Sequence, residues 1–336
     1  MAFAIGPFRS SFTGPAIGNL LKKLLENGMY FFIVNPNSGS GSGLKVWNTV
    51  KKFLAEIHAE YDVYFTAKQG DAMAKAAEVS QNAAGGETLT VISVGGDGTI
   101  NEVINGLDFT KNVVFGCIPS GSGNDLCRGL GFPQGAENIA RKLLTNGFVR
   151  EMDYGVLTNA DGSLQRRFVV SCGAGFDAAV CHLLEVSKLK AFCNKIGIGK
   201  LAYTLVGVKS FFAERPVAGY AVIDGERRVD FKSLFFTSVQ NHPYEGGGYK
   251  FAPKAQWNDG ALDMTLVCSR GKLRLVPILL NKKKGLRENG VTRFYPCREV
   301  QFHFEKALPM HADGELMGIQ QDITVRCVRG QIRILT

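Results

Sequence analysis

Short apolar runs and amphipathic stretches alternate over the first 150 residues. Residues 30–35 (YFFIVN) read as a strand. Over 43–59, Val46, Val50, Phe53, Leu54 and Ile57 fall on one face at helical spacing. YDVYFT (61–66) reads as a second strand, and AMAKAAEVSQNAA (72–84) as a helix ended by Gly85 and Gly86. LTVISV (89–94) and VVFGCIP (113–119) supply two more strands. Strand alternating with helix predicts parallel β-α-β units. Right-handed crossovers then place the turns after the strands along one rim of the sheet, where ligands bind. After about 150 the pattern changes. REMDYGVL, RRFVVSCGAGF, GYAVIDGERRVDFKSLFFTSVQN, LDMTLVCS, VQFHFE and ITVRCVRGQIRIL read as strands of an antiparallel sandwich or partial barrel. One helical zone at about 183–213 interrupts them.

The glycines of the first half are placed for chemistry. VISVGGDGTINEVINGL (91–107) runs a strand into Gly95, Gly96, Asp97, Gly98 and Thr99, and a helical pattern opens with Asn101 and Glu102. Backbone amides in such a bend and at the helix start are anion donors. Asp97 sits where a metal bridging phosphates would be held, or where a hydroxyl would lose its proton. Two more bends of this kind occur, FFIVNPNSGSGSG (31–43) and FGCIPSGSGNDL (115–126). Together they predict a shared phosphate site. The P-loop pattern with its lysine, the strict dinucleotide fingerprint and the protein-kinase signatures are all missing from the sequence.

Composition narrows the partners. A length of 336 residues fits one large or two medium domains. No run approaches the roughly 18 apolar residues of a membrane span. The eight cysteines are scattered with no CxxC pair, which reads as reduced thiols of a cytosolic protein and argues against zinc. The net charge of +9 suits an anionic nucleotide and an anionic membrane surface. It would also suit nucleic acid, but no aromatic-basic interleaving or helix-turn-helix pattern supports that partner. Residues 1–28 make a poor signal peptide and read as an upstream extension or a mis-called start. The five histidines show no carboxylate-histidine spacing and read as surface or packed residues. His242, with the glycines at 246–248, is a candidate for lining an interdomain cleft, whereas Met264 and the phenylalanines of 231–236 read as core. Basic residues mixed with apolar ones in 183–213, and KKK at 282–284 with Arg287, are candidate lipid contacts.

GGDGT followed by NEVINGL and then PSGSGND resembles the catalytic domain of the diacylglycerol kinase and sphingosine kinase superfamily, its bacterial diacylglycerol kinase branch above all. The resemblance runs from about Met29 to the C-terminus. It implies an α/β plus β fold of the NAD kinase/diacylglycerol kinase-like type: a Rossmann-like α/β nucleotide domain (29–150) followed by a larger antiparallel β-sandwich lipid domain (151–318). The segment 319–336 would return to the first domain. It implies ATP as phosphoryl donor, held by Asn35, Pro36, Asn37, Ser38 and Gly39, by Gly95, Gly96, Asp97, Gly98, Thr99 and Glu102, and by Ser122 and Asn124. Ser122 stands where the family usually has threonine. Thr66, four residues ahead of Gly70, resembles a further nucleotide contact. The resemblance makes Glu315, in HADGELMG, the proton acceptor for the lipid hydroxyl, and gives Asp313 an orienting role. Asp97 is the alternative base, and Asp125 either serves the site or caps its helix. A structural Mg²⁺ would take the Asp259 side chain and the carbonyls of Gln256 and Ala261. Diacylglycerol is the expected acceptor, with a sphingoid base, ceramide or phosphatidylglycerol as alternatives. The remaining rivals are NAD kinase, which shares GGDGT, and a catalytically silent nucleotide- or lipid-binding protein. Relatives often form homodimers.

Overall fold

A computed structural model describes residues 30–81, 88–121, 123–186, 210–211, 213–276 and 285–336. The extension 1–28, the expected helix end at 82–86, Ser122, most of the helical zone 183–213 and the basic run 282–284 lie outside the described residues.

The first half alternates as its pattern requires: β1 Tyr30–Val34, α1 Ser38–Glu56, β2 Tyr61–Phe65, α2 Asp71–Gln81, β3 Leu89–Gly95, α3 Asp97–Gly106, β4 Val113–Pro119, α4 Asp125–Gly129 and α5 Ala136–Asn146. Strands β2, β1, β3 and β4 lie side by side in parallel. Successive β1 side chains serve opposite faces. Phe32 and Val34 join Trp47, Val50 and Leu54 of α1 and Ile139 and Leu143 of α5. Ile33 joins Ala76 of α2 and Ile100, Val103 and Ile104 of α3. Helix α1 is interrupted at its start, where Gly39, Ser40 and Gly41 have positive φ. The regular coil follows that kink, close to the expected residue 43.

The second half comprises β5 Val149–Asn159, β6 Gln165–Phe168, β7 Ser171–Gly175, α6 Phe176–Val186, β8 Val217–Ile223, β9 Arg227–Gln240, β10 Tyr244–Glu245, β11 Tyr249–Lys250, β12 Leu262–Cys268, β13 Thr292–Cys297, β14 Glu299–Ala312 and β15 Glu315–Leu335. The two 14-residue strands β9 and β14 are bridged by both β7 and β8, all antiparallel, so the sheet curls around a core that includes Phe168, Met264, Phe302 and Phe304. Met264 and the phenylalanines Phe231, Phe235 and Phe236 are buried. Strand β15 leaves β14, pairs with β5, and ends parallel to β4 at Ile334 opposite Phe115. The run 166–176 reads as one strand but forms two. The break falls at Val169 and Val170, whose amides donate to the Asp313 carboxylate.

Candidate functional site

The three bends meet at the rim of the parallel sheet. Asn35, just past β1, donates its backbone N–H to the Val94 carbonyl (2.9 Å) and its side-chain amide to Thr99 Oγ1 (3.1 Å). Its Oδ1 accepts the Asn37 N–H at 3.1 Å, and the Pro36 carbonyl accepts from Leu44. The Ser38 hydroxyl hydrogen-bonds to that of Ser120 in the third bend. A Cβ on Gly39 would stand 2.0 Å from the Ser120 carbonyl oxygen, so the close approach of these two bends requires glycine there. Gly121 lies against Gly96, and the Ser120 N–H donates to the Gly95 carbonyl.

Thr66 is buried beside this junction, with its N–H on the Val34 carbonyl. Glu102 accepts from the amides of Gly70 (2.9 Å) and Ala72 (3.2 Å), which pins the turn after β2 to α3. No side chain caps the N-terminus of α3. Its first amides therefore retain their capacity to bind an anion.

Four carboxylates surround the start of α3, each held differently. Asp97 accepts from the amides of Asn124 (3.0 Å) and Asp125 (3.2 Å). Burial pushes its pKa up to about 6, and the charges of Asp125 and Asp313 add to the rise. Asn124 has φ +56, and its Oδ1 is buried without a hydrogen-bond partner. Asp125 does not cap its helix; Asn124 occupies that position, and Asp125 pairs with Arg128 and accepts the Gly247 N–H at 2.8 Å. Burial raises its pKa as well. Asp313 is half-buried and accepts from the amides of Val169, Val170 and Ser171 and from the side chain of Asn101. Burial raises its pKa, opposed by those donors. The Glu315 carboxylate lies against Gly98, its Oε1 2.7 Å from where a Cβ there would stand, and it accepts from Gln69 at 3.3 Å. Asp97, the bend amides and Glu315 thus share one corner between the parallel sheet and β15. Crowded acids beside an anion-binding rim suit a substrate that arrives with a divalent cation.

Three further arrangements have no counterpart in the sequence pattern. The asparagines of NEVINGL form a clamp: Asn101 holds Asp313 and the side chain of Arg166, and Asn105 exchanges hydrogen bonds with the Arg167 backbone. Arg167 in turn donates to the carbonyls of Ile104 and Leu107 at the end of α3.

Second, His311 is not an isolated packed histidine. It is fully buried, with Nε2 2.9 Å from Asp177 and 3.3 Å from Glu245. Its Nδ1 accepts the Gly314 N–H at 3.3 Å and so shapes the turn that presents Glu315. Burial pushes the imidazole pKa down, but the carboxylate charges beside it push it up further. Burial, with Asp177, raises that of Glu245. Histidine and two carboxylates also match the ligand types of a metal site. The Gly314 N–H on Nδ1 requires that nitrogen unprotonated, which puts the ring proton on Nε2 between the two carboxylates. His303 likewise meets Asp322. A spacing search misses both pairs because the partners come from different strands and helices.

Third, Asp153 on β5 is buried and accepts from Gly260 (2.6 Å) and Gly330 (2.7 Å). It fastens the expected cation turn. In that turn Asp259 is exposed and accepts the Ala261 N–H at 3.1 Å, and Gln256 is exposed too. Burial and the Asp259 charge together push Asp263 up to about 6. The donors this turn offers, a carboxylate and backbone carbonyls, are of the oxygen type that Mg²⁺ takes. His242 is buried behind α4, against Gly129 and stacked on Trp257, with both ring nitrogens unpartnered.

Comparison with known proteins agrees with this architecture. A model described as "Diacylglycerol kinase catalytic domain" matches residues 29–157. One described as "YegS C-terminal NAD kinase beta sandwich-like domain" matches residues 170–336. A Chromohalobacter salexigens protein named for a YegS-like lipid kinase is 32% identical over 258 residues, 75% of this chain and 76% of that protein. The diacylglycerol kinase of Bacillus subtilis is 29% identical over 289 residues, 85% of this chain and 89% of its own. A crystal structure titled as a diacylglycerol kinase from Bacillus anthracis superposes with a TM-score of 0.66 at 20% identity, over 91% of this chain and 96% of that one. At that identity the likeness speaks to the fold.

Proposed function

We propose, on the premise that this chain belongs to the diacylglycerol kinase family and is a lipid kinase, that it moves the γ-phosphate of ATP to the hydroxyl of diacylglycerol, giving phosphatidic acid and ADP. The observation that carries this reading is the convergence of three glycine bends on one corner that also holds Asp97 and Glu315. The triphosphate lies over residues 35–39, 95–99 and 120–124, with Thr66 and the turn pinned by Glu102 at its side. Ser122 is assigned here on the sequence motif alone. Phosphoryl transfer asks mainly for positioning and charge neutralisation, and backbone amides supply both.

In the step itself the acceptor oxygen bonds to the γ-phosphorus, the bond from that phosphorus to the β–γ bridging oxygen breaks, and the hydroxyl proton passes to Glu315. Asp97, with backbone donors on both oxygens, orients the 120–125 bend and faces the substrate's cation. Asp313 and Asp125 act as positioning residues, the first through the Val169–Ser171 backbone and the second through the 246–248 loop. Mg²⁺ bound to Asp259 and the carbonyls of Gln256 and Ala261 would brace the turn that Asp153 already holds.

The same reading divides the chain into an extension (1–28), a nucleotide domain (29–150, rejoined by 319–336) and a lipid domain (151–318). It places the protein in the cytoplasm, working as a homodimer at the anionic inner face of the membrane. No described helix is long and apolar enough to cross a membrane. A radiolabelled-ATP assay in mixed micelles tests the acceptor against a sphingoid base, ceramide, phosphatidylglycerol and NAD. Label entering phosphatidic acid is the expected result; label in another product, or in none, rejects the assignment. Light scattering of the purified chain reads the oligomer.

A further inference from the structure

A basic, apolar-tipped loop follows β12. Leu273, in the short turn Lys272–Arg274, is 78% exposed, and Val276 is 36% exposed. Isolated exposed leucines need no explanation. This one is framed by Arg270, Lys272 and Arg274 and stands beside an open cleft of about 420 Å³. Arg270, Arg274, Ser233 and Ser269 line that cleft, and no acidic side chain is among its described lining residues. An apolar tip ringed by cations fits the boundary between lipid headgroups and acyl chains.

The loop is also wired to the proposed site. Leu275 is fully buried in an aromatic cluster with Phe211, Phe235 and Phe236, against which Phe176 packs. Asp177, the next residue, contacts His311, whose Nδ1 takes the Gly314 N–H beside Glu315. Immersing the tip would therefore bring the membrane to the apolar cluster that adjoins the acceptor end of the site.

The geometry points to residues 270–276 as a membrane-docking surface for anionic phospholipid, with Leu273 inserted between headgroups and Arg270 and Arg274 on the lipid phosphates. This rests on the reading that the acceptor is presented in a bilayer. The phosphate-lined bilayer is the occupant chosen because both parts of the loop match it, the leucine to acyl chains and the arginines to negative charge.

The test is co-sedimentation of the full chain with phosphatidylglycerol–phosphatidylcholine vesicles. A parallel assay measures phosphorylation of a short-chain, water-soluble diacylglycerol. Arg270→Ala/Arg274→Ala should weaken vesicle binding about 30-fold, because each basic residue near an anionic surface contributes on the order of 1 kcal/mol. Leu273→Ala should weaken it about tenfold, and Leu273→Trp should retain it. All variants should keep wild-type turnover on the soluble acceptor. Wild-type binding matched by both weakening variants would overturn this surface while leaving the bilayer reading intact. Failure of the wild type to bind, with turnover on the soluble acceptor, would overturn both. Loss of soluble turnover in the variants would overturn a role confined to docking.

Discussion

The two walls of the proposed site are made of different material. The nucleotide wall is backbone: bends 35–39, 95–99 and 120–124 touch through glycines and hydroxyls, and its one acid, Asp97, is held by main-chain amides. The acceptor wall is side chain. His311, Asp313 and Glu315 share one turn between β14 and β15, and their partners Asp177, Asn101 and Gln69 come from elements far away in sequence. A backbone wall tolerates changes in side-chain chemistry but not in volume. A side-chain wall tolerates neither loss of a donor nor loss of a charge.

The largest effects should come where the walls meet. Asp97→Asn and Glu315→Gln should each lower kcat by about 10³-fold, within the range for removing an essential positioned base or charge, with circular dichroism unchanged. A variant near wild-type turnover would remove that residue from the chemistry. Next, Asp313→Asn places an amide N–H against backbone donors in a half-buried site. It should cost about 3 kcal/mol in denaturant unfolding. A loss below 1 kcal/mol would show the pocket to be looser than its four donors imply.

On the backbone wall the contrast lies between two neighbouring glycines. Gly39→Ala meets the Ser120 carbonyl at 2.0 Å in a left-handed conformation, whereas Gly41 has φ +92 and open space around its Cβ position. Gly39→Ala should raise the KM for ATP about tenfold and cost about 2 kcal/mol. Gly41→Ala should cost about 1 kcal/mol from strain alone and leave the KM unchanged. Equal effects would mean that contact between the bends does not matter.

The smallest effect is in pH dependence. Asp97 titrates near 6 in the folded chain, above its value of about 4 when unfolded. The folded state therefore holds a proton that the unfolded state has lost between those values. The stabilisation from that raised pKa is present below about pH 4 and is lost as pH rises through 6. Relative to Asp97→Asn, the wild type should lose about 1–2 kcal/mol between pH 4 and 7, less than the full shift implies because the side chain is partly solvated. A flat difference between the two proteins would place this carboxylate in a more polar setting.

Much of the backbone wall was legible. Apolar periodicity located β1 to β4 and the helices after β1 and β2, and glycine-hydroxyl clusters located the bends, because both are local signals; the helix Ala136–Asn146 was not read. Apolar spacing put the first helix at about 43, whereas the helix opens at Ser38 and is kinked at Gly39, Ser40 and Gly41, which carry no apolar periodicity. The acceptor wall was legible only at the HADGE turn. Val169 and Val170 read as strand because they are β-branched and apolar, yet their amides serve Asp313, more than 140 residues away. Asn101 and Asn105 sit on a helix as ordinary polar residues until β6 arrives beside them. Asp153 reads as one acid in a strand and becomes a buried fastener only when Gly260 and Gly330 close on it. Such roles depend on which strands the topology brings together.

The central claim, that main-chain amides in glycine bends hold a triphosphate without a lysine anchor, is tested most directly by a crystal structure with magnesium and a non-hydrolysable ATP analogue. The account predicts β- and γ-phosphates on the amides of Gly39, residues 96–99 and residues 121–123, with the cation on the Asp97 side. A triphosphate bound away from these bends, or gripped there by a lysine ammonium, would contradict it.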